Sequence, residues 1–238
     1  MHKILSLIIL LFIFGSFNKN QSALSAATIL DSKILYQELG LHDVNFQAFN
    51  QAITGYNKIP QHKKEILTLI DFTKPSTEER LYVFDLKQKK LLFKTHVAHG
   101  RNSGANYATS FSNKNGSNKS SLGFYLTAET YQGKNGYSLK LDGLERGIND
   151  KARERAIVIH GATYANPSTS GSMGRLGRSL GCPALPVKLN KPVIDTIKDG
   201  SVLFIYATDS DYTENSRYIK SEIPEWFACF PPRQERID

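Results

Sequence analysis

The chain of 238 residues has little cysteine, methionine and tryptophan, with two, two and one residues respectively. The two cysteines, Cys182 and Cys229, allow at most one disulfide, so the sequence is not that of a disulfide-rich secreted scaffold. It also lacks internal repeats, cysteine pairs at metal-binding spacing and a glycine-rich phosphate-binding loop. The length fits a globular protein with one core. Its candidate functional residues are therefore individual side chains that the fold brings together.

Acidic residues are outnumbered by basic ones, 22 against 30, which gives a formal net charge of +8. The anionic partners open to a basic protein include cell-wall polymers, membrane head groups and nucleic acid. Nucleic acid is not predicted as a partner, because no Lys/Arg cluster alternates with aromatic residues. The charge is also explained by solubility alone.

The N-terminus has the features of a secretory signal peptide, which we predict over residues 1–27. A weakly basic start leads into the apolar run 4–14, and the small residues at 25–27 suit a signal peptidase. The run is shorter than the roughly 20 apolar residues that span a bilayer, and no cysteine follows it to carry a lipid. We therefore predict a secreted protein of the periplasm or cell wall with no integral membrane span after cleavage; an uncleaved anchor is the alternative.

The rest of the chain predicts a mainly β fold. Apolar residues at helical spacing over 31–57 predict two short helices, broken near Gly40, within an N-terminal helical segment 28–60. Alternating or apolar runs predict strands at 66–72, 80–86, 91–99, 122–130, 137–141, 156–160 and 201–206, and a short helix at 191–197. These elements predict a β-sandwich or barrel with short helices over 61–207, and an apolar tail, 208–238, that docks on it.

Two reactive side chains stand out. The apolar run 156–160 ends in His160-Gly161, and after a polar loop Gly181 precedes Cys182. A free thiol is only a few per cent ionised at neutral pH, so Cys182 needs a base, and His160 fits that role. The amides of Gly181 and Cys182 are candidates for an oxyanion hole.

Less reactive interpretations remain open for both residues. His160 fits a hydrogen-bonded core histidine, and Cys182 fits a small buried residue or a disulfide partner of Cys229. A zinc site built from His160, Cys182 and either His96 or His99 has little support in ligand spacing.

The residues 177–181 also match the serine-hydrolase pattern Gly-x-Ser-x-Gly. A nucleophile elbow needs a strand before the serine and a helix after it, whereas Ser179 follows a loop and precedes Pro183. Ser179 is therefore predicted to support the cysteine through hydrogen bonds.

Arg175 and Arg178 suit substrate carboxylates, or else are solvated loop arginines. The polar loop 100–121 has the length of a functional loop or of a locally mobile one.

His160-Gly161 and the later Ser179-x-Gly181-Cys182 resemble the signature of the L,D-transpeptidase catalytic domain family, in its murein L,D-transpeptidase branch. The likeness extends over roughly residues 60–207. Two positions depart from the better-known branch, which usually has histidine where Leu180 stands and arginine where Ala184 stands.

The resemblance implies a β-rich fold and acyl transfer between peptidoglycan stem peptides without a cofactor. Cys182 would attack the carbonyl of the third stem residue, a diaminopimelate, and expel the terminal D-alanine, with His160 as base and then acid. An amine acceptor would give a 3–3 crosslink. Gly161, Gly181 and Ser179 would support the site, and Arg175, Arg178, His99 and Tyr125 would contact substrate.

Two other functions fit the same residues. Transfer to water would make the protein an L,D-carboxypeptidase, or an amidase that releases a protein from the wall. A Cys182–Cys229 disulfide would instead suit a non-catalytic wall-binding module.

Overall fold

The computed structural model describes residues 29–171 and 173–220. Its α-helices are α1 (Ser32–Glu38), α2 (Phe46–Asn57), α3 (Val187–Ile197) and α4 (Ser210–Asn215). Its strands are β1 (Ile66–Asp71), β2 (Leu81–Asp85), β3 (Lys90–Thr95), β4 (Gly123–Gly133), β5 (Gly136–Gly143), β6 (Val158–Gly161), β7 (Ala184–Leu185) and β8 (Val202–Tyr206). None of these helices has both the length and the apolar character needed to cross a bilayer.

The eight strands form one mixed sheet in the order β3-β2-β1-β8-β4-β5-β6-β7. Neighbouring strands are antiparallel except for two parallel pairs, β1 with β8 and β6 with β7. β8, the last strand among the described residues, lies inside the sheet, and all five of its residues are buried. Its apolar run is typical of a strand covered on both faces.

The two ends of the sheet meet just beyond β3. Ala98 exchanges both backbone hydrogen bonds with Ala184 of β7, at 2.8 and 3.2 Å. A second bridge joins Gly100 to Ser179. We call these two bridges the closing seam. The sheet is thus nearly closed and barrel-like, which confirms the predicted mainly β fold with short helices.

The predicted helix pair near the N-terminus is confirmed. The side chains of Asp31 and Asn45 accept backbone N–H groups of the first turns of α1 and α2, so both helices begin at capping residues. α2 packs on the sheet, and its Phe49 ring meets Phe84 edge to face at 5.3 Å. Gly55 of α2 lies so close to Phe124 that a Cβ there would overlap the ring.

Several predicted boundaries were wrong. The helix predicted to begin near Pro192 begins at Val187, so proline lies inside α3. The carbonyl that proline leaves without a partner belongs to Lys188, which is exposed to water. The β4–β5 hairpin is longer than predicted and turns at only two residues, Lys134 and Asn135. β7, with two residues, was missed because it is too short to show a pattern.

Part of the predicted tail packs on the sheet. Tyr212 and Ser216 are buried, and both hydroxyls donate to the carboxylate of Glu145, which also accepts the Phe124 N–H. The apolar tail residues 226–230 and the predicted signal peptide 1–27 lie outside the described residues. The division at residues 27, 60 and 207 therefore stays a prediction.

Candidate active site

His160 and Cys182 are brought together by the short parallel pair β6 and β7. His160 is in register with Ala184, two residues after Cys182. On its other side β6 pairs with β5, where Ser138 faces His160. The predicted base and nucleophile thus lie on adjoining segments next to the closing seam.

Residues 179–182, which we call the cysteine turn, are shaped by one hydroxyl. Ser179 Oγ donates to the Cys182 carbonyl at 2.6 Å and accepts the Gly181 N–H at 3.0 Å. The backbone of Ser179 is itself fixed, because its N–H donates to the His99 carbonyl at 2.9 Å. Ser179 thus makes local hydrogen bonds of the kind that its predicted supporting role requires, and that role stays a prediction.

Glycine is needed at position 181 for two reasons. Its φ of 132° lies in the region that residues with a side chain rarely adopt. A Cβ there would also lie 2.9 Å from the Lys119 carbonyl oxygen and 3.1 Å from Ile157 Cδ1. The cysteine turn is therefore in close contact with the chain on both sides.

The predicted functional loop 100–121 forms one of these sides. Ser120 Oγ accepts the Gly100 N–H and donates to the Gly181 carbonyl, both at 3.0 Å. The Ser120 N–H donates to Ser103 Oγ at 2.9 Å. All four residues are buried. The loop is therefore a wall of the site, built on the hydroxyls of small residues.

His160 is 5% exposed, and its Nδ1 lies 3.1 Å from the Gly161 carbonyl oxygen. Since a carbonyl can only accept, this contact places the hydrogen on Nδ1 and leaves a lone pair on Nε2. Burial lowers the pKa of the imidazole, and the hydrogen bond to Gly161 opposes this only in part. His160 is therefore a neutral base at neutral pH.

The Cys182 side chain is half-buried, and no described residue forms a disulfide with it. Its thiol donates to the carbonyl of Ala156, with 3.6 Å between sulfur and oxygen. Burial raises the pKa of the thiol, while the Val158 N–H and the Arg155 guanidinium lower it. At neutral pH the resting nucleophile is thus a thiol. Cys229 lies outside the described residues.

The oxyanion hole differs from the one expected. The Gly181 N–H is already donated to Ser179 Oγ, so it is not available to a substrate oxygen. The Cys182 N–H has no acceptor among residues 29–171 and 173–220. The expectation that both amides serve is therefore wrong for Gly181, because the serine that shapes the turn uses its donor.

Arg155 also lies at the site, although no motif in the sequence predicted it. Its guanidinium donates to the carbonyls of Ser112 at 2.7 Å and Lys119 at 2.6 Å. Its Nη2 also lies 3.4 Å from where a Cβ on Gly181 would be. The only sequence signal is its position at the end of a polar segment, one residue before the run that ends in His160.

Tyr164 was missed as well. It lies in a 3₁₀ turn, Thr163–Ala165, just after β6. Burial, followed by the charge of Cys182, raises the pKa of its phenol to about 12, so the hydroxyl stays protonated. The Gly177 N–H donates to the Tyr164 carbonyl at 2.8 Å, and the tyrosine ring leaves no room for a Cβ at position 177.

The two loop arginines bind backbone carbonyls. Arg178 Nη1 donates to the carbonyls of Arg101 and Gly104, each at 2.9 Å, and Arg175 Nη1 donates to that of Leu176 at 2.8 Å. Both side chains keep partial exposure. Arg178 thus fixes the start of the loop 100–121, and substrate binding by either arginine stays a prediction.

His99 and Tyr125 are core residues, so their expected contact with substrate is wrong. Both are fully buried. His99 Nδ1 accepts from Arg80 Nη2 at 2.8 Å, and burial together with the Arg80 charge lowers the histidine pKa to about 4. The Tyr125 hydroxyl donates to the Ser121 carbonyl at 3.0 Å. Buried partners, which have no sequence signal, explain both positions.

The two positions that depart from the better-known branch have opposite environments. The Leu180 side chain is 60% exposed beside the cysteine turn, and it can contact a ligand there. Ala184 is fully buried at the closing seam. An arginine at position 184 would have to bury a charged side chain at the closing seam, which is costly without a partner.

Two alternative chemistries lack support in the geometry. Ser179 Oγ is engaged at both ends, and the next helix, α3, begins eight residues later, so there is no nucleophile elbow. The described residues contain no group of three His, Cys, Asp or Glu side chains placed to hold a metal ion. His99, one of the suggested zinc ligands, uses its Nδ1 to accept from Arg80.

Comparison with known proteins identifies the family. The family model described as the L,D-transpeptidase catalytic domain matches residues 41–206, a range that includes α2 and all eight strands. No curated protein matches the chain.

Three solved structures have a similar fold. An L,D-transpeptidase from Mycobacterium smegmatis is 15% identical, with 60% of this chain and 59% of that chain covered and a TM-score of 0.37. The helical cell shape determining protein Pgp2 from Campylobacter jejuni is 13% identical (67% and 56% covered, TM-score 0.41). An L,D-transpeptidase from Stackebrandtia nassauensis is 13% identical (75% and 77% covered, TM-score 0.37). The chain thus spans about 59% of the length of the first of these relatives.

The matched range contains β6, β7 and the cysteine turn, and it covers well over half of the chain. The protein belongs to the L,D-transpeptidase catalytic domain family.

Proposed function

We propose that the protein is a secreted cysteine acyltransferase that joins peptidoglycan stem peptides through 3–3 crosslinks. The observation that carries the proposal is the placement of Cys182, on a turn fixed by Ser179, beside the strand on which His160 keeps Nε2 unprotonated. Family membership supports the choice of substrate class.

In the first half-reaction, His160 Nε2 takes the thiol proton as Cys182 Sγ attacks the carbonyl carbon of the third stem residue. The bond to the terminal D-alanine nitrogen breaks, and the proton passes from His160 to that nitrogen. The products are a thioester on Cys182 and free D-alanine. The Cys182 N–H is the candidate donor to the transient oxyanion.

In the second half-reaction, an amine of another stem attacks the thioester carbonyl. His160 accepts the amine proton and returns it to the departing sulfur, so the free thiol is restored and an amide links the two stems. Because burial shifts the pKa of both groups toward their neutral forms, His160 acts as a true general base on a thiol.

The proposed location is the periplasm or cell wall, since peptidoglycan lies outside the cytoplasm. The predicted signal peptide supports this location, and the excess of basic over acidic residues suits an anionic wall. No cofactor takes part in the proposed steps.

The test is incubation of the purified protein with tetrapeptide muropeptides, followed by mass spectrometry of the products. We expect crosslinked dimers and released D-alanine, both lost in Cys182→Ala. Tripeptides without dimers would replace the proposal with hydrolysis by the same cysteine. Products that persist in Cys182→Ala would overturn cysteine catalysis.

Titration of free thiols in the native protein tests the non-catalytic alternative. We expect Cys182 to react with a thiol reagent without prior reduction. A disulfide between Cys182 and Cys229 that reforms in the purified protein would leave no nucleophile and favour a wall-binding module.

A further inference from the structure

We propose that the Arg155 guanidinium stabilises negative charge on the Cys182 sulfur during acyl transfer and also fastens the loop 112–121 to the cysteine turn. This inference deepens the proposed function and rests on Cys182 being the nucleophile. Arg155 is then a positioning residue, because it acts through the thiol and makes no contact with the substrate.

Two chain segments place Arg155 beside Cys182. Its Nη2 lies 3.4 Å from the site of a Cβ on Gly181, the residue that precedes Cys182. Ala156, the next residue after Arg155, holds its carbonyl 3.6 Å from the Cys182 sulfur. Ala156 does so from a left-handed conformation, with φ of 53°, which is costly for alanine. The backbone is therefore strained at the point where Arg155 and the thiol approach each other.

The partners of Arg155 are neutral. Besides the carbonyls of Ser112 and Lys119, its guanidinium reaches Ser117 Oγ and Ser121 Oγ, each at 3.3 Å. No carboxylate among the described residues forms an ion pair with it. The hydrogen bonds engage both Nη atoms and leave the positive charge uncompensated.

Arg153, two residues earlier, has the opposite surroundings. It donates to Asp142 Oδ2 at 2.8 Å and pairs with Glu129 at 3.0 Å. Its charge is thus neutralised at the surface. Arg155 is a half-buried cation that lacks an anionic partner in the resting protein. Its partner would be the Cys182 thiolate, which forms only during the reaction.

The charges that face Cys182 come from several elements. Arg155 has the strongest influence among them, Lys134 of the β4–β5 turn adds a weaker positive contribution, and the Tyr164 phenol stays neutral. His160 is neutral at rest and alternates between two charge states in each half-reaction. Arg155 keeps its proton throughout, because a guanidinium is not deprotonated in proteins. It can therefore stabilise the sulfur both as it attacks and as it leaves.

The test measures the pH dependence of Cys182 alkylation by iodoacetamide in the full chain, in a Cys229→Ser background that leaves one thiol. We expect Arg155→Gln to raise the apparent thiol pKa by about one unit, which lowers the alkylation rate about tenfold at neutral pH. Arg153→Gln removes the same charge and should leave the thiol pKa unchanged. An unshifted pKa in folded Arg155→Gln would overturn the inference.

Arg155→Lys covers the case in which Arg155→Gln does not fold. Lysine keeps the charge and loses the planar fork, so we expect thermal stability to fall while the thiol pKa stays near that of the wild type. A lysine variant with the thiol pKa raised by a full unit would mean that Arg155 acts through loop packing alone.

Alkylation needs no peptidoglycan, so the two proposals fail separately. A raised thiol pKa in Arg155→Gln, in a protein that does not process muropeptides, would reject the transpeptidase function and keep the role of Arg155. Muropeptide turnover at the wild-type rate in Arg155→Gln, with an unshifted thiol pKa, would reject the role of Arg155 alone.

Discussion

The hydroxyl of Ser179 donates to the carbonyl of Cys182 across 2.6 Å while it accepts the N–H of Gly181 at 3.0 Å. This hydroxyl closes the cysteine turn on itself, and it sets the direction of the Cys182 backbone. It also removes one donor from the oxyanion hole. The serine of the signature is thus a structural support for the nucleophile.

Ser179→Ala should destabilise the fold and slow the chemistry. The variant leaves the buried Gly181 N–H without an acceptor, so we expect a loss of about 1–3 kcal/mol in the free energy of unfolding. We also expect at least a tenfold slower thioester formation, followed by mass spectrometry of the intact protein. The partly exposed Ser170, whose hydroxyl donates to the Pro167 carbonyl, provides the control Ser170→Ala. Equal effects of the two variants would contradict this role.

Gly181→Ala should be more harmful than an alanine at a glycine of the neighbouring loop that has open space around it. The new Cβ meets the Lys119 carbonyl and requires a backbone conformation that costs about 1–3 kcal/mol. We expect a lower melting temperature and slower alkylation of Cys182. Gly171→Ala is the matched control, since a Cβ there meets no atom within 4 Å. Normal alkylation in Gly181→Ala would show that the turn is not held as described.

His160→Ala should reduce thioester formation by about 10²- to 10⁴-fold, the usual contribution of a general base. The fold should persist, because the side chain makes one hydrogen bond, to a neighbouring carbonyl. His96→Gln removes a histidine that bonds only the Thr77 carbonyl, and should leave the rate unchanged. A His160→Ala rate close to that of the wild type would show that another group accepts the thiol proton.

The pH profile of thioester formation should report the same base. Burial lowers the pKa of His160 below its ordinary value, so the neutral imidazole persists into mildly acidic solution. We therefore expect the acidic limb of the profile to lie below pH about 6.5 and to vanish in His160→Ala. An acidic limb above that value would contradict a desolvated histidine.

The contribution of His99 to stability should fall as the pH falls from about 6.5 to 4. The unfolded chain protonates this histidine near pH 6.5, whereas the folded protein, with a pKa of about 4, binds the proton later. The unfolded state therefore gains about 3 kcal/mol between pH 7 and pH 4. His99→Gln can still accept from Arg80 and should lose this part of the pH dependence, as measured by urea unfolding. If the free energy of unfolding depended as steeply on pH in His99→Gln, a group other than His99 would be responsible.

Local pattern predicted much of this molecule. The alternation in β2 and β3, the apolar run of β6 and the spacing in α1 and α2 all depend on neighbours in sequence, and each predicted element is present. The placement of His160 and Cys182 on adjoining segments was also open to prediction, because both lie at the ends of one loop.

The failures depend on contacts between distant segments. Arg155 finds its hydrogen-bond partners only when the loop 112–121 folds over Gly181. His99 is buried against Arg80, nineteen residues earlier. Neither partner is marked by a motif. The Gly181 N–H donates to the Ser179 hydroxyl because of the shape of the turn, which depends on the φ angle of Gly181.

The position of β8 has a consequence for when the cysteine turn can form. This strand is the last of the sheet to be synthesised, yet it lies between β1 and β4 and joins the two halves of the barrel. A chain that ends before Val202 has two unpaired central edges, and the closing seam cannot hold the cysteine turn in place. We therefore expect Cys182 to be unreactive in incomplete chains. The thiol would become reactive only after β8 has been synthesised and has entered the sheet.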